Sequence, residues 1–475
     1  ISKGYFKATA GMDDPNLDFD LDASGGFKGK YPYGKIRLNV DIADLEKLRL
    51  HAGPYKLRGN VDADIDDANP DNLNGRIALH NFIFANEKEQ FALDSVKIAA
   101  ITTADTTAIR VDSQFLKANA IGKYKITQLP AAIQHTIAKY YNAGKAQTLE
   151  KPENPQQITF TLKVDNDPVI TKLVPELTRF EPIDIKGEYN SANDSLLVNA
   201  NIPRIVYGKN TINGVVANIA TQDTAIVYNV RVNALENDSF KLGQTSLTGD
   251  IKDNTINYKL EIDDQSKKVQ YMLAGLLKQN GENTNISLNP DGLMLNYDNW
   301  QIAQDNLIRL GSGGIYANDF ELSNDGGSLK LQSESDTANA PLNVELNNFS
   351  IETITNAVQK DESKFKGTIN GTAKVNNLTT TPVFESQLEI TDFAVAKDTV
   401  GNIKINVDNK VANTFNADVA ITGNGNQVNL KGDYVTTNSS FNLNLDIDKI
   451  NMTSIQALTF GALKDSEGCL LYTSD

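Results

Sequence analysis

The chain has 475 residues, of which 40% are hydrophobic and 22% are charged, so it can bury a substantial core and is not intrinsically disordered. Its formal net charge of -15 excludes the basic footprint that a nucleic-acid-binding protein needs. One cysteine and three histidines provide no disulfide scaffold and little for zinc or acid–base chemistry. No apolar run is long enough for a transmembrane helix. The composition predicts a protein that is not an enzyme and carries no cofactor.

Apolar and polar residues alternate with a period of two along most of the chain. Such alternation is typical of β-strands that have one apolar and one polar face. The predicted fold is mainly β: a long sheet, curled into an open groove whose lining is the apolar face. The residues expected to line this groove are Ile36, Leu38, Val40, Ile42, Val61, Ala63, Ile65, Ile403, Ile405, Val407, Phe415, Ala417, Val419, Ile421, Phe441, Leu443, Leu445 and Ile447.

The aspartates that alternate with these apolar residues do not predict a metal site. Asp62, Asp64 and Asp66 superficially resemble a calcium loop. An EF-hand, however, needs glycine at its sixth position and glutamate at its twelfth, where this chain has Asp67 and Leu73. The aspartates are therefore expected to form the outer, polar face of a strand.

Short helical patterns interrupt the strands at regular intervals. The predicted helices span 44–48, 169–177, 267–277, 349–358 and 450–458, each after a strand, and a further helix lies near 128–141. The last two strand–helix units match at an offset of 101 residues, with Leu342 corresponding to Leu443 and Phe349 to Ile450. This match predicts a repeat of about 100 residues, each unit a multi-strand block with one short helix. The predicted blocks are 1–145 with the helix near 128–141, 146–250, 251–340, 341–440, and a truncated one at 441–468.

Glycine recurs between apolar residues on what would be the apolar side of seven strands. These residues are Gly29, Gly59, Gly75, Gly187, Gly249, Gly367 and Gly432. Glycine inside a strand marks a bend or a close backbone approach, and repeated on one face it lets a sheet curl with that face concave. The alternative interpretation is that these glycines lie at strand ends near turns.

The two ends of the chain suggest a fragment. It begins at Ile1 without a methionine, which predicts a fragment or a mature product. Residues 469–475 differ in composition from the rest, carry the only cysteine, and resemble the translation of a sequencing adapter. They are predicted to be a non-native tail that packs against nothing, and the natural protein is expected to continue past residue 468.

The strand–helix–glycine-strand order of residues 342–375 resembles the repeats of the TamB family (translocation and assembly module proteins) in the AsmA-like superfamily. The stretch 286–310, in which Trp300 follows two short strands, is similar to a segment of the same family. The resemblance runs over most of residues 1–468 and brings no catalytic residues with it.

That resemblance implies a periplasmic protein, anchored in the inner membrane by an N-terminal helix that this stretch lacks. It also implies a C-terminal domain, again outside this stretch, that meets a BamA-like outer-membrane barrel partner. The implied ligands are phospholipid acyl chains. The implied function is to carry phospholipid between the membranes, to assist outer-membrane protein assembly, or both.

Two other classes of protein share this apolar periodicity. An extracellular structural or adhesin-like β-repeat protein would close its apolar faces into a sealed core. A β-helical polysaccharide lyase would need a clustered basic and acidic site, which the sequence does not offer. The property that separates a lipid groove from a closed core is whether the apolar face is open to solvent or covered by a second sheet.

Overall fold

The computed structural model describes residues 4–142, 154–238, 240–337, 339–353, 365–378, 382–411, 413–459 and 469–471. Strands account for 69% of the structure and helices for 7%, which confirms the predicted mainly-β class. The strands pair in antiparallel order, and across the described residues the sheet is not closed on itself. The chain forms two compact units: unit 1 holds the described residues up to Asp238 together with Gln244–Asp253, and unit 2 holds the others.

Unit 1 is built from strands that pair mostly with their neighbours along the chain. Helix α1 (Leu129–Tyr140) lies between β8 and β9, and helix α2 (Pro168–Leu173) between β9 and β10. The strands are β1 (Tyr5–Met12), β2 (Leu17–Lys28), β3 (Tyr31–Asp44), β4 (Lys56–Asp67), β5 (Asn74–Ala85), β6 (Gln90–Thr102), β7 (Thr107–Ser113), β8 (Leu116–Lys123), β9 (Gln157–Val164), β10 (Leu177–Phe180), β11 (Ile183–Asn190), β12 (Ser195–Tyr207), β13 (Asn210–Gln222), β14 (Ala225–Glu236) and β16 (Thr245–Lys252).

Unit 2 begins with the short strand β15 (Lys241–Leu242) and ends with helix α3 (Met452–Leu458) and one further strand. Strand β19 pairs with β18 and then with both β20 and β21. The strands are β17 (Thr255–Asp263), β18 (Val269–Asn280), β19 (Asn283–Leu295), β20 (Asp298–Ile302), β21 (Leu307–Gly311), β22 (Gly314–Asn318), β23 (Phe320–Asn324), β24 (Gly327–Ser333), β25 (Leu342–Ser350), β26 (Phe365–Asn376), β27 (Val383–Val395), β28 (Asp398–Asp408), β29 (Thr414–Gly423), β30 (Asn426–Val435), β31 (Ser440–Asn451) and β32 (Cys469–Leu471).

Side-chain amides stabilise the bulges that interrupt these strands. Asn348 in β25 and Asp392 in β27 have positive φ angles of 44° and 53°, and each lies at a register shift. The backbone N–H of Asn348 donates to Oδ1 of Asn370 at 2.8 Å, and that of Asp392 donates to Oδ1 of Asn402 at 3.0 Å. Because a bulge leaves backbone donors without a ladder partner, the amide on the next strand replaces the missing acceptor.

Three of the predicted helices are present. The helix near 128–141 is α1, the one at 169–177 is α2, and the one at 450–458 is α3. The last two begin after an acidic or amide N-cap: Asp167 accepts from the N–H of Val169, and Asn451 from that of Thr453. Within the described ranges, no helix is both long and apolar enough to cross a membrane.

The other helix predictions fail or are only partly described. The prediction of a helix at 267–277 is wrong, because Val269–Asn280 is a strand whose alternate residues Tyr271 and Leu273 face Ile262 and Leu260 of β17. Residues 45–49 form turns rather than a helix. Residues 351–353 are helical, and the remainder of the helix predicted at 349–358 lies outside the described residues.

Two expectations about chain ends and turns also need correction. Gly29 lies in the turn between β2 and β3 with a φ of 63°, so it ends a strand rather than curling one.

Residues 469–471 form β32, which pairs with Lys449–Asn451 at the end of β31. The expectation that the tail packs against nothing is therefore wrong for these three residues, since an apolar segment adds readily to an open strand edge.

Candidate apolar binding face

One row of apolar side chains crosses fourteen strands of unit 1 without interruption. Each member lies directly opposite the next, and residues that are opposite in an antiparallel sheet share a face. This apolar row of unit 1 consists of Ala8, Ala23, Ile36, Ala63, Ile77, Ile98, Val111, Ala118, Leu162, Ile185, Ala200, Ala217, Val230 and Leu247.

The row remains partly open to solvent along its length. Ile36 is 39% exposed and Leu247 is 37% exposed, whereas Ala63 alone among its members falls in the buried class, at 8%. The residues between them are mostly half-buried. Aliphatic side chains in a sealed sheet-on-sheet core would be almost completely buried. The row is therefore an accessible apolar surface.

A neighbouring row on the same face combines glycines with large side chains. Phe160 lies opposite Gly187, and Tyr228 lies opposite Gly249. A Cβ placed on Gly187 would approach the Phe160 ring to 2.7 Å. Because glycine has no side chain, the aromatic ring of the neighbouring strand can pack directly against the glycine backbone.

Helix α1 covers one part of this apolar face. Its Ala132, which is 0% exposed, packs in a cluster with Tyr124, Ile158 and Tyr189. The apolar side chains of the helix are only partly buried, because Leu129 and Ile133 contact the cluster while Ile137 is 41% exposed. The helix thus covers one end of the strands and leaves the apolar row of unit 1 accessible.

A polar cluster fastens α1 to the turn between β11 and β12. Thr136 Oγ1 donates to Asp194 Oδ1 at 2.9 Å, and Lys139 Nζ donates to Asp194 Oδ2 at 2.5 Å. Thr136 also shares a 3.0 Å hydrogen bond with the Tyr189 hydroxyl. Burial alone would raise the pKa of Asp194, but the hydrogen bonds from Lys139 and Thr136 outweigh it and hold that pKa below its usual range.

Unit 2 carries equivalent rows. The apolar row of unit 2 crosses ten strands and consists of Ile302, Leu322, Leu329, Leu346, Gly371, Leu388, Ile405, Val419, Leu430 and Leu445. A second row beside it consists of Phe349, Ile369, Ile390, Ile403, Ile421, Val428 and Ile447. Most members of both rows are aliphatic, as they are in the apolar row of unit 1.

Within unit 1, the structure brings most of the predicted lining residues together. Ile36 lies opposite Ala63 and Leu38 lies opposite Val61. Val40 and Ile65 lie on the same face, each opposite a glycine, Gly59 and Gly34 respectively.

Ile42 departs from this arrangement. A register shift in β3 places Ala43 opposite Leu17 and Ile42 opposite Asp18, so Ile42 belongs to the polar side of the sheet. Ile42 is 36% exposed, whereas Ala43 is 6% exposed. The bulge, which simple alternation does not reveal, is the reason.

The predicted lining residues of unit 2 lie on strands β28 to β31. Ile403, Ile405 and Val407 lie opposite Ile421, Val419 and Ala417, in that order. Phe415 and Phe441 both lie opposite Tyr434, while Leu443, Leu445 and Ile447 lie opposite Gly432, Leu430 and Val428. On β31, Phe441 is 68%, Leu443 53% and Leu445 55% exposed, the most accessible apolar side chains among those predicted to line the groove.

The polar face carries a ladder of charged pairs. Arg37 lies 3.6 Å from Asp62, and Asp62 also contacts His80 Nε2 at 2.9 Å. Asp64 lies between Lys35 and Arg76, at 3.4 and 3.5 Å. Two of the aspartates that resemble a calcium loop, Asp62 and Asp64, therefore pair with basic side chains on neighbouring strands.

Hollows of about 1050, 690 and 510 Å³ lie on this polar face of unit 1. The sequence did not predict these hollows. Sequence alternation missed these hollows because it reports which face a side chain is on, and the direction in which a sheet bends depends on bulges and twist.

Neither a protein-family model nor a curated protein sequence matches the chain. Function is therefore inferred from the chemistry of the two faces of the sheet.

Proposed function

We propose that the apolar face binds lipid acyl chains, and that the chain is part of a groove that carries phospholipid between membranes, assists outer-membrane protein assembly, or both. The observation that carries this proposal is the apolar row of unit 1, which is unbroken over fourteen strands and open to solvent. An accessible apolar surface of this size marks an interaction site in a soluble chain.

The main free-energy cost of moving a lipid between membranes is the exposure of its acyl chains to water, and an accessible apolar surface reduces that cost. Each methylene removed from water contributes roughly 0.8 kcal/mol, so an acyl chain of about sixteen carbons costs about 12 kcal/mol to expose. A continuous apolar surface removes most of that cost without any chemical step. Fourteen strands at about 4.8 Å spacing provide roughly 60 Å of such surface across the sheet.

We further propose that units of about 100 residues, in which a strand leads into a short helix, recur in the groove at 341–440 and 441–468. The strand-to-helix junctions support this periodicity, since β25 ends at Ser350 and β31 ends at Asn451, 101 positions later, and helical residues follow both. Phe349 and Ile450, which precede these junctions, are 5% and 8% exposed and so play the same packing role.

The cellular setting follows from the resemblance to the TamB family. We propose a periplasmic location, an anchor in the inner membrane through an N-terminal helix, and a BamA-like outer-membrane partner that binds a C-terminal domain. The lipid proposal itself depends on the apolar face alone. It holds whichever way the sheet bends, because it requires exposed aliphatic side chains in an unbroken row.

The experiment compares two alanines of one strand that face opposite sides. Ala417 lies opposite Val407 and Gly432 on the apolar face, whereas Ala420 lies opposite Lys404 and Asn429 on the polar face. Uptake of a fluorescent phosphatidylethanolamine from donor vesicles is measured for the purified chain. Ala417→Asp should reduce uptake about tenfold, because a carboxylate resists transfer into an apolar contact, and Ala420→Asp should leave it unchanged. Equal effects of the two substitutions would contradict the proposal.

A further inference from the structure

The hollow of about 1050 Å³ on the polar face of unit 1, here called the polar hollow, is the largest of the three described above. It spans strands β7, β8, β9, β11, β12 and β13. Val111, Ala118, Leu162, Ile185 and Ala200, which belong to the apolar row of unit 1, also border the hollow, although alternation along each strand directs their side chains to the opposite face. A ligand in this polar hollow and a lipid on the apolar row would therefore lie on opposite sides of one sheet.

The polar hollow is cationic in a chain that is acidic overall. Arg110, Lys117, Lys163 and Lys186 line it, together with only two carboxylates, Asp112 and Asp184, whereas the whole chain has a net charge of -15. A positive hollow on a negative protein concentrates anions locally.

The cations of the polar hollow are only partly neutralised by the protein itself. Lys117 and Lys163 lie directly opposite each other, an arrangement that is unfavourable for like charges. On their other sides Lys117 lies opposite Asp112 and Lys163 lies opposite Asp184, whereas Arg110 and Lys186 have no carboxylate opposite them. Lys163 contacts Asp165 at 3.1 Å, but among the described residues Arg110, Lys117 and Lys186 form no ion pair. This differs from β3 to β5, where Asp62 contacts Arg37 and His80, and Asp64 contacts Lys35 and Arg76. The unpaired cations leave room for an external anion.

The remaining side chains of the lining are mostly uncharged and polar, with Val216 as an aliphatic member beside Asn218. Asn119, Asn199, Asn201 and Asn218 present amides, and Thr161 presents a hydroxyl. These groups both donate and accept hydrogen bonds, as the hydroxyl groups of a sugar require. Among the described residues that line the hollow none is aromatic, so it lacks the stacking platform with which proteins hold nucleic-acid bases.

We propose that the polar hollow binds an acidic oligosaccharide, a short glycan bearing carboxylate or phosphate groups. The volume exceeds what a single sugar ring needs, and the strands supply a new set of side chains about every 4.8 Å, close to the repeat of one unit in an extended glycan. The cations bind the acidic groups, and the asparagines bind the hydroxyls. This site is independent of the lipid proposal, since it uses the other face of the sheet.

The test measures binding of a decamer of galacturonic acid to the purified chain by isothermal titration calorimetry at low and high salt. The wild type should bind the acidic decamer with an affinity that falls as salt rises, and should bind a neutral maltodecaose at least tenfold more weakly. The double variant Lys117→Gln/Lys186→Gln should lose about tenfold or more in affinity, because two charge-assisted contacts are removed.

The control variant Lys88→Gln/Lys252→Gln removes the same charge from exposed positions of unit 1 outside the hollow, and it should bind as the wild type does. Circular dichroism confirms that all variants are folded. Failure of the wild type to bind the acidic decamer, equal binding of the neutral one, or equal loss in both variants would overturn the proposal. Vesicles of phosphatidylglycerol that displace the decamer and bind more tightly would overturn the choice of a glycan as well.

Discussion

The ring of Phe82 on β5 occupies the space that a side chain on Gly59 of β4 would fill. A Cβ placed on Gly59 would lie 2.6 Å from both Cγ and Cδ2 of Phe82. Phe82 is 8% exposed and packs with Leu93 and Val96 in one of the clusters of unit 1. Glycine at this position therefore allows an aromatic ring to lie flat against the sheet.

Gly59→Ala should destabilise the chain by about 1–3 kcal/mol, the usual cost of overpacking a filled site. The measurement is urea unfolding followed by circular dichroism. In the background Phe82→Leu, where the smaller side chain leaves room, the same substitution should cost clearly less. An unchanged cost in that background would show that the ring is not what excludes a side chain at residue 59.

Phe349→Ala should destabilise unit 2 by about 3–5 kcal/mol, because it empties a well-packed site. Phe349 is 5% exposed and its ring lies 5.5 Å from that of Trp300. Trp300 is the only tryptophan of the chain, so its fluorescence reports on this cluster directly. Phe441→Ala is the matched control: Phe441 is 68% exposed and its loss should cost less than about 0.5 kcal/mol. Similar costs for the two phenylalanines would contradict the assigned packing.

The contact between α1 and Asp194 should depend on pH. Because the pKa of Asp194 is held below its usual range, the ionised carboxylate stabilises the fold above the unfolded pKa of about 3.9. That contribution is lost as the pH falls through the lower folded value. Asp194→Asn should therefore be less stable than the wild type at pH 7, and the difference should shrink towards pH 2. Unfolding curves at the two pH values test this, and a constant difference would contradict it.

Thr136→Val probes the same contact without changing a charge. Thr136 is 1% exposed and donates to Asp194, so removing its hydroxyl should cost about 1.5–3 kcal/mol. Amide hydrogen exchange of α1 should accelerate in the variant. Unaltered exchange in α1 would show that the helix is held by its apolar contacts alone.

An ionised group should be tolerated on the apolar row of unit 1 far better than beneath α1. Ala118 belongs to the row and is half-buried, whereas Ala132 is 0% exposed. Ala118→Asp should cost about 1 kcal/mol or less, since the carboxylate can reach water, while Ala132→Asp should cost several kcal/mol. Thermal denaturation distinguishes the two. A large cost at both sites would favour a closed-core structural protein.

The period-two alternation predicted the mainly-β class and, of the apolar row of unit 1, Ile36 and Ala63, because side-chain direction in a strand follows directly from residue parity. Ile36, Leu38 and Ala63 were assigned to their common face in this way. Parity fails at a bulge, which is why Ile42 was placed on the wrong side. The registers with β2 and β4, in which Ala43 faces Leu17 and Leu57, reveal the shift.

Leucine, methionine and alanine within residues 267–277 favour a helix. Pairing of β18 with β17 on one side and β19 on the other overrides that propensity.

The polar hollow could not be predicted from the sequence, for a different reason. Its cations come from strands separated by many residues along the chain, such as Arg110 and Lys186, and only the register brings them together.

The most direct test of the lipid-binding proposal is photo-crosslinking from two adjacent residues of β7. Val111 lies in the apolar row of unit 1, and Asp112 lies on the polar face next to it. A benzophenone amino acid is introduced at either position, and the chain is irradiated with vesicles of radiolabelled phosphatidylethanolamine. The proposal predicts that the probe at residue 111 captures phospholipid and that the probe at residue 112 does not. Equal labelling from both positions, or none from residue 111, would contradict it.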